Sequence, residues 1–265
     1  MDLEIKQPVA LVPTMGALHA GHASLIEIAK KLSEEVVVSI FINPLQFENP
    51  NDFSSYPKSI TEDIALATKS GATMVWTPTF EEIYPTDPEI IASGEIGNLF
   101  EGVHRFGHFD GMLTVVKRLF DLVQPKFAIF GEKDFQQLFL IKRMVAQMKL
   151  PIEIIAAPTI REKNGLAMSS RNQKLSISEL ESATGIYKAL VSANSANDLE
   201  TARLHLTQGV SAIPNFVLDY AQVIDEETFA VADESTLKSR AIVAGWINGI
   251  RLIDNMAMSN LGDSK

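Results

Sequence analysis

The chain has no cysteine. That excludes disulfides, thiolate catalysis and cysteine-ligated metal. No apolar run approaches the roughly 20 residues that span a bilayer. Met1-Asp2-Leu3-Glu4-Ile5-Lys6 shows no basic region followed by an apolar core, so no signal peptide is expected and cytoplasm is the default compartment. Positive charge is also short: 23 Lys+Arg against 33 Asp+Glu leave −10 at pH 7, which disfavours a nucleic-acid partner. There is no internal repeat and no low-complexity segment. What is present is ordinary for a chain that buries a core, 46% hydrophobic and 21% charged over 265 residues, enough for one large domain or two smaller ones.

One stretch organises the rest. The apolar run Val9-Ala10-Leu11-Val12 leads into Pro13-Thr14-Met15-Gly16-Ala17-Leu18-His19-Ala20-Gly21-His22, and a helical pattern over 23–32 leads out. A strand-to-helix junction suits an anion, because the first amides of a helix lack internal partners. Gly16 and Gly21 allow close approach of backbone. His19 and His22, three apart, share a helical face and can donate to charge developing on a phosphate. Capping or surface histidines, or a zinc pair, fit the same spacing; no further ligand cluster accompanies them for zinc.

Short apolar runs alternate with helical patterns through the first part. Strands are expected over 36–42, 72–76, 127–130 and 152–156, and helices over 59–70, 111–123 and 133–148. The segment 79–110 shows no clear period, as a binding segment or lid would. Such alternation predicts a Rossmann-like doubly wound parallel sheet, with helices on both faces and ligands outside the carboxyl ends of the strands. After about Thr159 the rhythm changes. Helices are expected over 178–192 and 199–208, with short, antiparallel strands over 216–223, 241–245 and 250–253. The domain boundaries expected are 1–160 for the sheet domain and 161–265 for a smaller α+β domain, hinged near 159–165. The tail 260–265 is expected to fray.

The HxGH decade resembles the signature of the nucleotidylyltransferase superfamily, and its full form PTMGxLHxGH is similar to the pantoate–β-alanine ligase family. Four further blocks carry the same resemblance in order: Phe41-Ile42-Asn43-Pro44-Leu45-Gln46-Phe47, His108-Phe109-Asp110-Gly111, Gly131-Glu132-Lys133-Asp134-Phe135-Gln136-Gln137 and Met168-Ser169-Ser170-Arg171-Asn172. The likeness runs from about Val9 to Asn255. Phe106 departs from it, standing where the family more often has proline.

The resemblance implies a cytoplasmic, homodimeric ligase. It would use ATP with Mg²⁺ to condense pantoate with β-alanine through a pantoyl adenylate, with no membrane partner. Met15, Gly16, Ala17, Leu18, His19, Ala20, Gly21 and His22 would then cradle ATP, His22 acting as proton donor or charge stabiliser. Gly131, Glu132, Lys133 and Asp134 would add to that cradle, Lys133 as a point charge. Ile160 would meet the base, and Met168, Ser169, Ser170 and Arg171 would form a phosphate loop. Asn43, Gln46 and Gln137 would bind substrate, and Asp63 would contact Mg²⁺. His19, His22, Lys133 and Arg171 are the expected catalytic set. A nucleotidyltransferase that leaves the nucleotide on its product, or a non-catalytic nucleotide-binding module, would share the HxGH block.

Overall fold

A computed structural model describes residues 6–47 and 59–259. The expected fraying over 260–265 lies outside them. Contacts divide the chain into two units, residues 1–160 and 161–265.

The first unit holds a five-stranded, all-parallel sheet ordered β3-β2-β1-β4-β5. Its strands are β1 (Val9–Thr14), β2 (Glu35–Ile40), β3 (Met74–Trp76), β4 (Phe127–Gly131) and β5 (Glu153–Ala157). Alternate residues of β1 enter different cores. Ala10 and Val12 pack with Ile26 and Ala29 of α1 (Ala20–Leu32) and Ala67 of α2 (Ile60–Lys69). Val9 and Leu11 belong to the opposite cluster. Beyond a short α3 (Phe80–Ile83) and α4 (Glu101–His104), that cluster takes in α5 (His108–Val123) and α6 (Phe135–Gln147). Both faces of the sheet are therefore covered, which is why its strands read as unbroken apolar runs.

β1 sits where the order reverses, between β2 and β4. The strand continues through Pro13 to Thr14, although a proline normally ends a central strand. The reason is that β1 pairs with β4 only at Ala10 and Leu11, so one side of the ladder has ended before Pro13.

The pattern predicts a helix from Gly111; instead α5 begins at His108, after Gly107 at φ +70°. Gly111 lies inside the first turn because a Cβ there would stand 2.1 Å from the Leu45 carbonyl oxygen. The helix expected from Lys133 starts as a 3₁₀ turn over Glu132–Asp134, and α6 proper begins at Phe135.

In the second unit, helices α7 (Ile177–Asn194) and α8 (Leu199–Ser211) pack on an antiparallel sheet. Its order is β6 (Phe216–Asp225), β7 (Ser239–Ile247), β8 (Ile250–Met258). The helices meet closely because Gly209 lies against Ala189, where a Cβ would stand 2.6 Å from that side chain. Residues 161–167 form a tight turn closed by the Arg161–Ala167 bridge. A fork between Arg161 and Asp254, at 2.6 and 2.9 Å, ties that turn to β8.

Replacing Gly111 with Ala forces α5 off the Leu45–Gln46 turn. Urea unfolding should show a loss of about 1–3 kcal/mol, the usual cost of overpacking; an unchanged midpoint would remove the close contact from the account.

Candidate active site

The loop between β1 and α1 is held in an unusual backbone conformation. Gly16 and Ala17 both have positive φ, +90° and +51°. For alanine that conformation costs about 1–2 kcal/mol, so the surroundings must maintain it. The carboxylate of Asp63, in the first turn of α2, does so. Its Oδ2 accepts the Ala17 amide at 2.9 Å and its Oδ1 accepts the Leu18 amide at 2.7 Å. The Gly16 amide reaches the Thr14 hydroxyl at 3.4 Å.

The two histidines then cap α1 reciprocally. His19 is the N-cap, and its Nδ1 accepts the Gly21 amide at 3.1 Å. The Nδ1 of His22 reaches back to accept the His19 amide at 3.3 Å. An imidazole nitrogen that accepts an amide hydrogen carries none itself, so in each neutral ring the proton sits on Nε2. The ring centroids are 4.2 Å apart. Burial lowers the pKa of both rings; for His22 burial and then the neighbouring His19 bring it to about 3. Both are neutral at pH 7 and each offers an Nε2–H.

This corrects one expectation. The sequence suggested that the helix's first amides face an anion directly, but that of Gly21 goes to His19 Nδ1 and those of His22 and Ala23 go to the His19 carbonyl, while the amides of Ala17, Leu18 and His19, just before the helix, are taken by Asp63 and His22. The donors left for a ligand include the imidazole Nε2–H groups.

Lys133 and Asp134, in the 3₁₀ turn after β4, act electrostatically on both rings, the lysine lowering and the aspartate raising their pKa. The turns after β1 and β4 thus meet beside the reversal in strand order, where open parallel sheets leave a crevice. Glu132 shares that turn, and Gly131 ends β4.

The turn Pro44–Gln46 follows β2 and supplies an amide beside the same loop. Gln46 Nε2 donates to the Met15 sulfur at 2.8 Å. Asn43, expected to bind substrate, is bonded within the protein. It is 1% exposed, and its Nδ2 donates to the Gly111 carbonyl at 3.0 Å and the Gln46 Oε1 at 3.4 Å. Its Oδ1 accepts the Tyr84 hydroxyl at 3.3 Å and the Leu45 amide at 3.4 Å. Asn43 holds Gln46 and has no group left over.

Asp63, expected to contact Mg²⁺, is also bonded within the protein. It is 2% exposed, and Oδ1 takes the Ser59 hydroxyl at 3.0 Å besides the Leu18 amide. Among the described residues no group of three or more His, Asp and Glu side chains could hold a metal. Among the described residues Asp63 is thus bonded first to the backbone and to Ser59.

Neighbouring glutamines on α6 diverge. Gln136 is buried and donates to the carbonyls of Ile96 and Leu99 at 2.8 and 2.9 Å while accepting the Glu101 amide. Gln137 is half-buried, and among the described residues its side-chain amide makes no hydrogen bond. In the second unit, Ser169 caps the 3₁₀ turn Ser170–Lys174 by accepting the Arg171 amide at 3.3 Å. Met168, Ser170 and Arg171 are half-buried, and Ile160 closes the first unit.

Tyr84 and Gln136 escaped the reading of the sequence, because both lie in or against the aperiodic segment 79–110. His108 is legible only as part of a block; its Nδ1 is 2.9 Å from the Gln46 carbonyl. Asp110 accepts the Ser93 amide at 2.8 Å and so fastens the aperiodic segment to α5.

A doubly wound parallel sheet with imidazole and lysine groups gathered at its strand reversal defines an α/β protein with its candidate site at the switch point of the sheet. Comparison with known proteins narrows this. The family model for pantoate–β-alanine ligase matches residues 2–257. The pantothenate synthetase of Acidothermus cellulolyticus is 46% identical over 259 residues, covering 95% of this chain and 86% of the relative. That of Thermobifida fusca is 42% identical over 265 residues, covering 95% and 90%. The crystal structure of the pantothenate synthetase from Thermus thermophilus superposes with a TM-score of 0.90 at 40% identity, covering 94% of this chain and 93% of that one. A Francisella tularensis pantoate–β-alanine ligase, solved with β,γ-ATP and β-alanine, gives 0.78 at 38% identity over 94% and 89%. The chain belongs to the pantoate–β-alanine ligase family.

The tautomer assignment has a direct readout. Nitrogen-detected NMR should show His19 and His22 protonated on Nε2 alone, with His22 unchanged between pH 8 and 5. Because the folded pKa of His22 lies below the unfolded 6.5, the stability tied to its neutral form is full above pH 6.5 and lost as pH falls toward about 3. A His22 titration near 6.5 would contradict the assignment.

Proposed function

We propose that this chain joins pantoate to β-alanine with ATP, releasing pyrophosphate and AMP. The observation that carries the reading is the pair of Nε2–H donors beside Lys133 in a chain whose family likeness spans residues 2–257.

In the first step a pantoate carboxylate oxygen bonds to the α-phosphorus of ATP. The bond from that phosphorus to the β,γ-diphosphate breaks, and the electron pair leaves with pyrophosphate. The task is positioning and charge stabilisation rather than covalent catalysis by the protein. His19 and His22 meet the growing negative charge as neutral donors, which need no prior ionisation and no reorganisation. Burial lowers the pKa of His22, so it meets the triphosphate as a neutral ring with its Nε2–H as donor. Lys133 adds a full charge. Met15 through Gly21 and Gly131 through Asp134 form the walls of the ATP site, with Ile160 toward the base. In the second unit, the Ser170 hydroxyl and the Arg171 guanidinium are groups of the kind that bind phosphate.

Gln46 and Gln137 orient pantoate, since an amide offers both a donor and an acceptor without net charge. In the second step the β-alanine amine attacks the acyl carbon, the bond to AMP breaks, and the nitrogen loses a proton as the amide forms. Mg²⁺, brought with ATP, would supply positive charge to the triphosphate. Family likeness also supports a homodimer in the cytoplasm, and among the described residues no helix is long and apolar enough to cross a membrane.

With ATP and pantoate alone, purified protein should release pyrophosphate; AMP should appear only after β-alanine is added. His22→Ala and Lys133→Ala should each remain folded and lose about 100-fold or more in pyrophosphate release, the scale of losing one preorganised donor. A stable adenylylated product in the presence of the amine would overturn the ligase reading. Normal turnover in either variant would remove that residue from the mechanism.

A further inference from the structure

The residues with the clearest geometry and no part in the chemistry above are those that hold the loop before the histidines. Asp63 lies 46 positions from Ala17 in the chain. Yet its two oxygens bridge the consecutive amides of Ala17 and Leu18 at 2.9 and 2.7 Å. The Ser59 hydroxyl braces Oδ1 at 3.0 Å, and the Asp63 amide is tied to the Ser59 carbonyl at 2.8 Å. Fit is close on the other side as well: a Cβ on Gly16 would stand 3.1 Å from Asp63 Oδ2.

A carboxylate suits this place, because both its atoms accept. An amide in the same position would turn an NH₂ group toward one backbone N–H. The bridge spans the left-handed alanine and the residue just before the N-cap, so it decides where His19 enters α1. His22 then follows, since its Nδ1 takes the His19 amide.

We propose that Asp63 is a positioning residue for the reaction. Its carboxylate is the internal anion that holds Ala17 and Leu18, and through them it sets both imidazole Nε2–H donors; it does not ligate Mg²⁺. A cation would compete with the amides for the same oxygens, in a group 2% exposed.

Three measurements test this, and they do not depend on which acid is the substrate. In Asp63→Asn, turnover at saturating ATP should fall by about 100-fold, the scale of a 1 Å misplacement of reacting groups. The Mg²⁺ concentration for half-maximal rate should not move. The double variant Ala17→Gly/Asp63→Asn should recover part of the lost rate, because glycine adopts a positive φ without help. In the unsubstituted protein without ATP, Mn²⁺ should leave the Ala17 and Leu18 amide resonances unbroadened, a readout that holds even if the variant fails to fold. A higher Mg²⁺ requirement with turnover restored at high Mg²⁺, broadening of those amides by Mn²⁺ alone, or wild-type turnover in Asp63→Asn would each overturn the proposal.

Discussion

The site depends on a division of labour within each imidazole. The Nδ1 atoms of His19 and His22 accept the amides of Gly21 and His19. That closes the start of α1 and leaves Nε2 as the only place for the proton in a neutral ring. A helix start normally presents bare N–H groups to an anion. Here that polarity is passed one ring outward, and the donors stand at the tips of two neighbouring imidazoles. Burial keeps the rings neutral, so their hydrogen bonds strengthen as charge develops on the leaving group rather than holding the ground state as an ion pair would. This is the condition for differential stabilisation of a transition state.

The fold supplies what that arrangement requires. β1 and β4 end side by side at the reversal in strand order, so the turn after one carries the histidines and the turn after the other carries Lys133. The left-handed step at Ala17 lets the chain leave β1 and enter α1 in few residues, and Asp63 offsets its strain. On the other side of Met15, the Pro44–Gln46 turn is fixed from behind by Asn43, Tyr84 and His108. The Tyr84 phenol donates to Asn43, and burial raises its pKa further above the usual 10. Polar groups in this layer satisfy one another, as buried polar networks must.

Much of this was legible in the sequence. The parallel sheet announced itself in apolar runs such as 36–42, because strands covered on both faces need no polar alternation. The small antiparallel sheet was legible from its shorter strands, though β7 and β8 run several residues further than their apolar centres suggest, carried by pairing along the whole meander. The histidine pair and the lysine turn stood out because glycines and strand ends bracket them. Roles were harder to read than positions. Asn43 and Asp63 have the right chemistry for substrate and metal, and no local pattern shows that Asp63 is also bonded to the Ala17 and Leu18 amides or Asn43 to Gly111 and Tyr84. Gln136 and Gln137 are the same residue type one position apart; only the helix phase separates the clamp on Ile96 and Leu99 from the unbonded amide. The aperiodic stretch 79–110 hid Tyr84, since its order comes from long-range bonds to Gln136, Asp110 and Thr114 and not from a local repeat.

The central claim is that one nitrogen of His22 serves the helix and the other serves the reaction. The direct measurement is the unfolding free energy and the rate of pyrophosphate release for His22→Asn and His22→Ala side by side. Asparagine places an oxygen where Nδ1 now accepts and nothing where Nε2 now donates; alanine offers neither group. The account predicts that His22→Asn keeps its stability and loses its turnover, while His22→Ala loses its turnover and the cap together, the cap at a cost of about 0.5–2 kcal/mol. An asparagine variant that turns over normally, or one as destabilised as the alanine variant, would contradict it.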